Sequence, residues 1–153
     1  MNIVNYHDLN LDDISFHGRT IQLANARPVW IIGDSLQMPF GTNVSNKKTT
    51  IKFELSGIDA FYDFLVSLDD YLEKLHDDLE YVPLLKRYKN LYYFLATVPK
   101  RTTVDYIDSS GNLTERIPNP DDIINAFFHL KYIWKRNGYY GLSLLVHRVQ
   151  FTE

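Results

Sequence analysis

The sequence predicts a mainly β protein of the α+β class, with one long helix inserted between two sets of strands. Segments on both sides of the middle alternate apolar and polar residues, which is typical of half-buried strands. Residues 58–79 instead repeat their apolar side chains at helical spacing. The pair Asn137-Gly138 predicts a tight hairpin, because a type I′ turn needs positive φ at both central residues. Together these features predict a small antiparallel barrel.

The N-terminal third supplies the first strands. Residues 1–18 are polar and weakly patterned, so we expect a loosely ordered arm. Residues 20–32 predict one or two short strands, broken near Arg27-Pro28 because proline cannot donate to a strand ladder. Residues 33–48, rich in Gly, Asn and Ser, predict a long connection. Residues 49–55 alternate clearly and predict a half-buried strand.

The helix has a start signal and a stop signal. Ser56 and Gly57 end the preceding strand and can cap a helix, and Asp59 supplies a carboxylate to its first turn. Carboxylates occupy the face opposite the apolar one. Pro83 is expected to end the segment, because proline disrupts a helix interior.

The remainder of the chain is expected to be β structure. Residues 91–98 predict a strand, and residues 102–116 a hairpin that turns at 109–112. Residues 123–134 and 139–151 predict two long strands joined by the Asn137-Gly138 turn. The solution expected for this order is a single domain over residues 1–153, a closed or nearly closed barrel. The best-known architecture of this shape is the oligonucleotide-binding barrel with its helix inserted mid-chain.

Composition restricts the setting and the chemistry. The 153 residues leave room for one core. The chain contains no cysteine, which excludes disulfides and thiol nucleophiles and fits a reducing compartment. No apolar run is long enough to cross a membrane, and the N-terminus shows no secretory signal. We therefore expect a cytoplasmic protein that has no membrane partner.

The net charge of −3 conceals a strong asymmetry. Residues 58–80 carry eight acids and one base, whereas the remainder carries 15 bases against 11 acids. Residues 84–104 and 126–152 contain bases and no acids, and both are rich in aromatic residues. An acidic protein can therefore still present a basic surface.

Signals for catalysis are weak. Gly33-Asp34-Ser35-Leu36 matches the nucleophile block of the GDSL serine esterases, but that chemistry needs a base and a group that orients it. The Asp-x-x-His pair that supplies them in that family is absent. Glu73 and His76 lie one helical turn apart without a second such pair. We expect no catalytic site, no metal and no cofactor.

Bases interleaved with aromatic residues are the strongest functional signal. Proteins that bind single-stranded nucleic acid need cations for the phosphates and flat rings on which unpaired bases stack. The same rings could instead be core residues, since one face of each strand must be buried. The candidate nucleic-acid-binding residues are Lys86, Arg87, Tyr88, Lys89, Tyr92, Lys100, Arg101, Lys131, Trp134, Lys135, Arg136 and Tyr139.

The order of several motifs resembles a known family. The motifs are residues 27–32 with 38–41, the strand 50–55, the helix segment 61–69 and the hairpin ending 140–150. Together they resemble the single-stranded-DNA-binding proteins of large cytoplasmic DNA viruses and of yeast cytoplasmic linear plasmids. The resemblance implies an oligonucleotide-binding barrel that coats unwound DNA during replication without reading sequence.

The expected partner is therefore single-stranded DNA, with RNA and a homo-oligomer left open. The resemblance also implies contact with replication proteins. An acidic C-terminal tail serves this in several such proteins, and here the acidic helix face could substitute. The rival hypothesis is a virus- or plasmid-encoded interaction or structural module, whose aromatic face meets another protein and binds no nucleic acid.

Overall fold

The computed structural model describes residues 3–23, 26–45 and 48–153. These contain one α-helix, α1 (Ala60–Glu73), and a 3₁₀ turn at Leu11–Asp13. The strands are β1 (Ile3–Val4), β2 (Ser15–His17), β3 (Thr20–Leu23), β4 (Arg27–Leu36), β5 (Thr42–Ser45), β6 (Lys48–Leu55), β7 (Glu80–Tyr81), β8 (Lys86–Tyr88), β9 (Leu91–Val98), β10 (Asp105–Ile107), β11 (Ile124–Arg136) and β12 (Tyr139–Phe151). The mainly β prediction with one helix is confirmed.

The strands form one sheet whose main path runs β5–β6–β9–β12–β11–β3–β4–β1, and β4 also pairs directly with β11. Within the described ranges this sheet is not closed, whereas the sequence predicted a closed or nearly closed barrel. Most pairings are antiparallel as predicted. Four are parallel instead: β1 with β4, and β7, β9 and β10 with β12. Strand β12 therefore lies between its hairpin partner β11 and three other strands.

The core lies between the helix and the inner face of this sheet. Four fully buried phenylalanines, Phe53, Phe61, Phe94 and Phe128, stand at its centre. The Phe53 ring meets the Phe128 ring edge-on, and the ring centroids lie 5.2 Å apart. Edge-on aromatic pairs add about 1 kcal/mol beyond the burial of area. These rings join residues from β6, α1, β9 and β11, so one aromatic cluster unites the helix with both halves of the sheet.

The helix is shorter than predicted. It ends at Glu73 rather than near Pro83, and its N-cap is Asp59, whose carboxylate accepts a hydrogen bond from the Ser56 backbone N–H (3.0 Å). The buried Tyr140 hydroxyl donates to the carbonyl oxygens of Leu72 (2.6 Å) and Glu73. These carbonyls belong to the last turn, where helix-internal partners run out. The helix thus ends where it contacts β12. The helical period of the apolar residues cannot indicate such a contact.

The hairpin of β11 and β12 matches its prediction. Asn137 (φ 52°) and Gly138 (φ 85°) both adopt positive φ, as a type I′ turn requires. The predicted hairpin at 102–116 is only partly formed, since β10 pairs in parallel with β12 and meets the following segment in one bridge, Ile107 to Leu113. Strand β12 pairs with β10 at three residues, whereas the local hairpin provides only one bridge to β10.

Strand β4 extends through the esterase-like block. Residues 33–36 belong to this strand, and residues 42–45 form β5. The predicted long connection over residues 33–48 is therefore wrong. A Cβ atom at Gly33 would lie 2.8 Å from ring atoms of Phe61 and Phe128. Close packing of these rings therefore accounts for a glycine at this position.

Residues 3–17, expected as a loose arm, form short elements against the core. Strand β1 pairs with β4, and β2 pairs with β3. Tyr6 is buried against the Phe61 ring, and its hydroxyl donates to the Asp34 carboxylate (2.9 Å). Burial and this acceptor raise the pKa of Tyr6.

Candidate nucleic-acid interface

The hairpin of β11 and β12 has an inner face and an outer face. Because side chains alternate along a strand, the buried Phe128, Leu130 and Ile133 face the core and their neighbours face outward. Register shifts after Phe127 and after Leu130 interrupt this alternation. At the second shift the buried positions of β11 change from even to odd residue numbers, so Tyr132 follows His129 on the outer face. We call the aromatic and imidazole side chains of the outer face and of the adjoining β4 the outer stripe. It consists of Trp30, Phe127, His129, Tyr132, Trp134, Tyr139 and His147.

Trp134 is held in place by a glycine. It pairs with Gly141 across the hairpin, and a Cβ atom at Gly141 would lie 2.6 Å from the indole ring. The ring therefore rests on the Gly141 backbone and remains partly exposed. Towards the turn, Tyr139 is 46% exposed, and Tyr132 is 37% exposed on the next rung inward. These three rings are accessible to a flat ligand group.

Further along the stripe, three rings form a cluster. The rings of Trp30 and His129 stack with centroids 4.5 Å apart, and His147 meets the Trp30 ring edge-on at 4.6 Å. Burial, the neighbouring His147 and Lys131 lower the pKa of His129 to about 4. Burial and Lys131 also lower the pKa of His147. Both imidazoles are therefore neutral at pH 7 and add to an uncharged surface of rings.

Cations border the stripe. The hairpin, 124–151, contains Lys131, Lys135, Arg136 and Arg148 and no acidic residue. Two carboxylates approach the hairpin from other strands. Asp105 lies 4.0 Å from the Arg148 guanidinium, and Glu80 stands beside Tyr139 in the β7 pairing. The outer face of the hairpin thus combines rings with an excess of positive charge, which is what a single strand of nucleic acid requires.

A second group of predicted residues lies on β8, β9 and the turn between them. Lys86, Arg87, Tyr88, Lys89 and Tyr92 are brought together there. The Tyr92 ring packs edge-on against Tyr62 at the start of α1, with centroids 4.7 Å apart. The Arg87 guanidinium lies over the Tyr92 ring, and its Nε donates to the Lys89 carbonyl (2.9 Å). This group is basic and half-exposed.

The structure separates this second group from the outer stripe. The hairpin approaches the C-terminal end of α1 through the buried Tyr140 on its inner face, whereas Tyr92 lies near the N-terminal end of α1. A helix of 14 residues is about 21 Å long. Lys100 and Arg101 form a third group in the turn after β9, beyond the far end of that strand. The twelve predicted residues therefore belong to three groups: the β8–β9 turn, the turn after β9 and the β11–β12 hairpin.

Sequence reasoning did not identify several members of the outer stripe. Trp30, His129 and His147 lie on three strands, β4, β11 and β12, and the pairing of β4 with β11 brings Trp30 to the other two. In the sequence, only the alternation of residues along β11 could have indicated that Phe127 and His129 share a face. Another aromatic and cationic contact lies on β6 and β9, where the Lys52 ammonium sits over the rings of Tyr93 (4.4 Å) and Phe40 (5.2 Å).

The acidic helix face is less free than the sequence suggested. The Asp69 carboxylate accepts hydrogen bonds from the Tyr81 hydroxyl (2.5 Å) and from the backbone N–H groups of Leu84 (2.8 Å) and Leu85. Burial and the Asp69 charge raise the pKa of Tyr81. Asp69 therefore anchors the segment between β7 and β8 along the helix.

The described residues contain no helix with the length and apolarity needed to cross a membrane. Within the same ranges, no three His, Asp or Glu side chains are grouped so that they could hold a metal ion. Among the described residues, the outer face of the β11–β12 hairpin and the β8–β9 group both combine exposed rings with cations.

The architecture defines a class: an α+β protein whose mostly antiparallel sheet, with one helix, is like that of oligonucleotide-binding folds. Solved structures of phage proteins share this fold. The single-stranded DNA-binding protein from bacteriophage Enc34 matches with a TM-score of 0.59 and 10% identity, over 91% of this chain and 87% of that one.

Two further structures extend this comparison. The Enc34 protein in complex with ssDNA matches with a TM-score of 0.55 and 8% identity, over 90% of this chain and 92% of that one. The gp2.5 protein, a single-stranded DNA binding protein encoded by bacteriophage T7, matches with a TM-score of 0.54 and 11% identity, over 80% and 85%. No family model and no curated protein sequence matches this chain.

Proposed function

We propose that this protein binds single-stranded DNA without reading its sequence, using the outer stripe to stack bases and the flanking cations to contact phosphates. The observation that carries the proposal is the outer face of the β11–β12 hairpin. There, partly exposed rings and four cations occur in a segment without acidic residues. The fold shared with phage single-stranded DNA-binding proteins supports the same function.

Geometry favours a single strand over a duplex. Stacking on an exposed ring requires an unpaired base, and each stacked base contributes about 1–3 kcal/mol. The segment from Phe127 to Arg136 is about 30 Å long at roughly 3.3 Å per residue, enough for several nucleotides. Stacking tolerates any base because every base has a flat face, so little sequence preference is expected.

Four further properties are proposed together with this activity. We propose that the protein coats unwound DNA during replication, acts in the cytoplasm, has no enzymatic activity, and is related to the proteins of large cytoplasmic DNA viruses and yeast linear plasmids. The acidic helix would lie away from the strand and remain available to replication proteins. Binding of RNA and self-association are further outcomes that the binding assays below can detect.

The direct test is fluorescence anisotropy with a labelled oligo-dT of about 30 nucleotides, longer than the 4–16 nucleotides that one such fold covers. A duplex of equal length serves as the comparison, and each is titrated at two salt concentrations. We expect tighter binding of the single strand, with an affinity that falls steeply with salt because phosphate contacts release counterions. Equal affinity for both, or no dependence on salt, would contradict the proposal.

Single variants locate the surface. Trp134→Ala should weaken binding of oligo-dT about tenfold, the effect of losing one stacked base. Tyr88→Ala removes an exposed ring from the β8–β9 group and should have a smaller effect. The reverse ranking would move the DNA to the β8–β9 group. Circular dichroism of each variant checks that the fold is retained.

The rival is an interaction module whose aromatic face meets a protein. It predicts that Lys135→Glu and Arg136→Glu leave partner binding intact, whereas DNA binding should be weakened by charge reversal. A wild-type protein that fails to bind oligo-dT even at low salt would favour this rival.

A further inference from the structure

An open cavity of about 340 Å³ adjoins the outer stripe where β3 meets β11. We call it the side pocket, and its polar and aromatic lining comes from Arg19, Gln22, His129, Lys131 and Tyr132. Its volume lies within the range of small-molecule sites, about 300–1,000 Å³. No proposal made above uses Arg19 or Gln22.

A β-bulge shapes one wall of the side pocket. The register between β11 and β12 shifts between Leu130 and Tyr132, so Lys131 is the extra residue. A bulge of this kind re-aims a side chain at a functional surface. As a result, two successive residues, Lys131 and Tyr132, both line the cavity, where strict alternation would have put them on opposite faces.

The β2–β3 hairpin shapes the opposite wall. Its turn contains Gly18, with φ 61°, and Arg19. The Arg19 carbonyl accepts a hydrogen bond from the Ile133 backbone N–H (2.9 Å), and Thr20 pairs with Tyr132. These backbone contacts hold the Arg19 segment against β11, so the two walls keep a defined spacing.

The lining includes two cations and no carboxylate, and Ile21, Ala26 and Pro28 supply its apolar part. Within the described ranges, neither Arg19 nor Lys131 has an acidic side chain within ion-pair distance. The Lys131 ammonium lies 6.0 Å from the centroid of the Tyr132 ring. The pocket thus places two cations beside a phenol ring and a neutral imidazole. The Gln22 amide belongs to the same lining.

We infer that the side pocket takes one nucleotide, with its phosphate between Arg19 and Lys131 and its base against Tyr132 and His129. The inference rests on the proposed function, because the nucleotide would belong to the single strand that follows the outer stripe. The bound strand then turns one nucleotide sideways out of its row of stacked bases. Gln22 is the group placed to hydrogen-bond the edge of that base or its sugar.

The test maps the pocket with thymidine monophosphate, since a mononucleotide can fill one pocket but cannot span the stripe. Backbone amide shifts of ¹⁵N-labelled protein are recorded with thymidine monophosphate, with thymidine and with inorganic phosphate. We expect the largest shifts at residues 19–22 and 129–132 with the monophosphate, and weaker shifts with either fragment. The variant Arg19→Gln should abolish them, whereas Lys74→Gln, which removes one charge at the end of α1, should not.

Oligo-dT binding separates failure of the pocket from failure of the function. For Arg19→Gln we expect a weaker affinity and a salt slope lower by about 0.7, the value for one phosphate contact on a single strand. If oligo-dT binds normally but the monophosphate shifts nothing in the pocket, the inference is overturned and the proposed function stands. Equal shifts from inorganic phosphate alone also overturn it, because the site would then recognise an anion only. Monophosphate shifts in a protein that binds no oligo-dT would support the pocket and reject the proposed function.

Discussion

The two faces of the β11–β12 hairpin share the same strands and serve opposite purposes. The inner face places Phe128, Leu130 and Tyr140 in the core with no exposed surface. The outer face leaves Tyr132, Trp134 and Tyr139 partly exposed. Aromatic residues are therefore abundant on both sides, and the residue type does not distinguish a core ring from a surface ring.

The difference is made by what covers each face. The helix and three more phenylalanines cover the inner face, whereas the described residues place no helix over the outer one. An exposed group of aromatic rings on a protein surface marks an interaction site. Substitutions on the inner face should accordingly reduce stability, and substitutions on the outer face should reduce binding.

The largest expected effect comes from a substitution on the inner face. Phe128→Ala removes a ring that contacts Phe53, Phe61 and Phe94, and should lower the free energy of unfolding by about 3–5 kcal/mol. Tyr132→Ala on the outer face should cost about 1 kcal/mol. Urea denaturation of both variants measures the contrast, and equal losses would show that the two faces do not differ as described.

The next effect compares two neighbouring tyrosines. Tyr140→Phe removes the hydroxyl that donates to the Leu72 and Glu73 carbonyls and should lower the free energy of unfolding by about 1–3 kcal/mol, since those buried acceptors lose their partner. Tyr139→Phe alters an exposed hydroxyl and should leave the midpoint of denaturation unchanged. An unchanged free energy of unfolding in Tyr140→Phe would mean that the hydroxyl contact with α1 carries no stability.

The smallest effect concerns the imidazoles of the outer stripe. The folded pKa of His129 is about 4, below the ordinary value of about 6.5 for an unfolded chain. The unfolded state therefore binds more protons between these values, and stability falls as pH decreases from 6.5 towards 4. His129→Gln should flatten this decline, as measured by the midpoint of urea denaturation at pH 7, 5.5 and 4.5. An identical decline in both proteins would assign the pH dependence to other groups.

Local pattern was sufficient for elements with a strong period and a clear boundary. The strands 49–55 and 91–98 and the Asn137-Gly138 turn were predicted closely, because alternation and turn chemistry act within a few residues. The end of the helix was not, because Leu75 and Leu79 continue the helical spacing past Glu73. The chain leaves the helix there to pair β7 with β12, whose paired residues lie 59 positions further along the sequence.

For the candidate interface, local sequence was enough to predict the composition. The 28-residue hairpin has no acidic residue and is rich in rings and cations, and the acidic helix is a separate segment. Tertiary structure alone decided which rings are core and which are surface, and it divided the twelve predicted residues into three groups. It also added Trp30 from β4 and Arg19 from the turn between β2 and β3. The physical reason is that burial and proximity depend on non-local strand pairing and on the bulge at Lys131, neither of which local sequence pattern encodes.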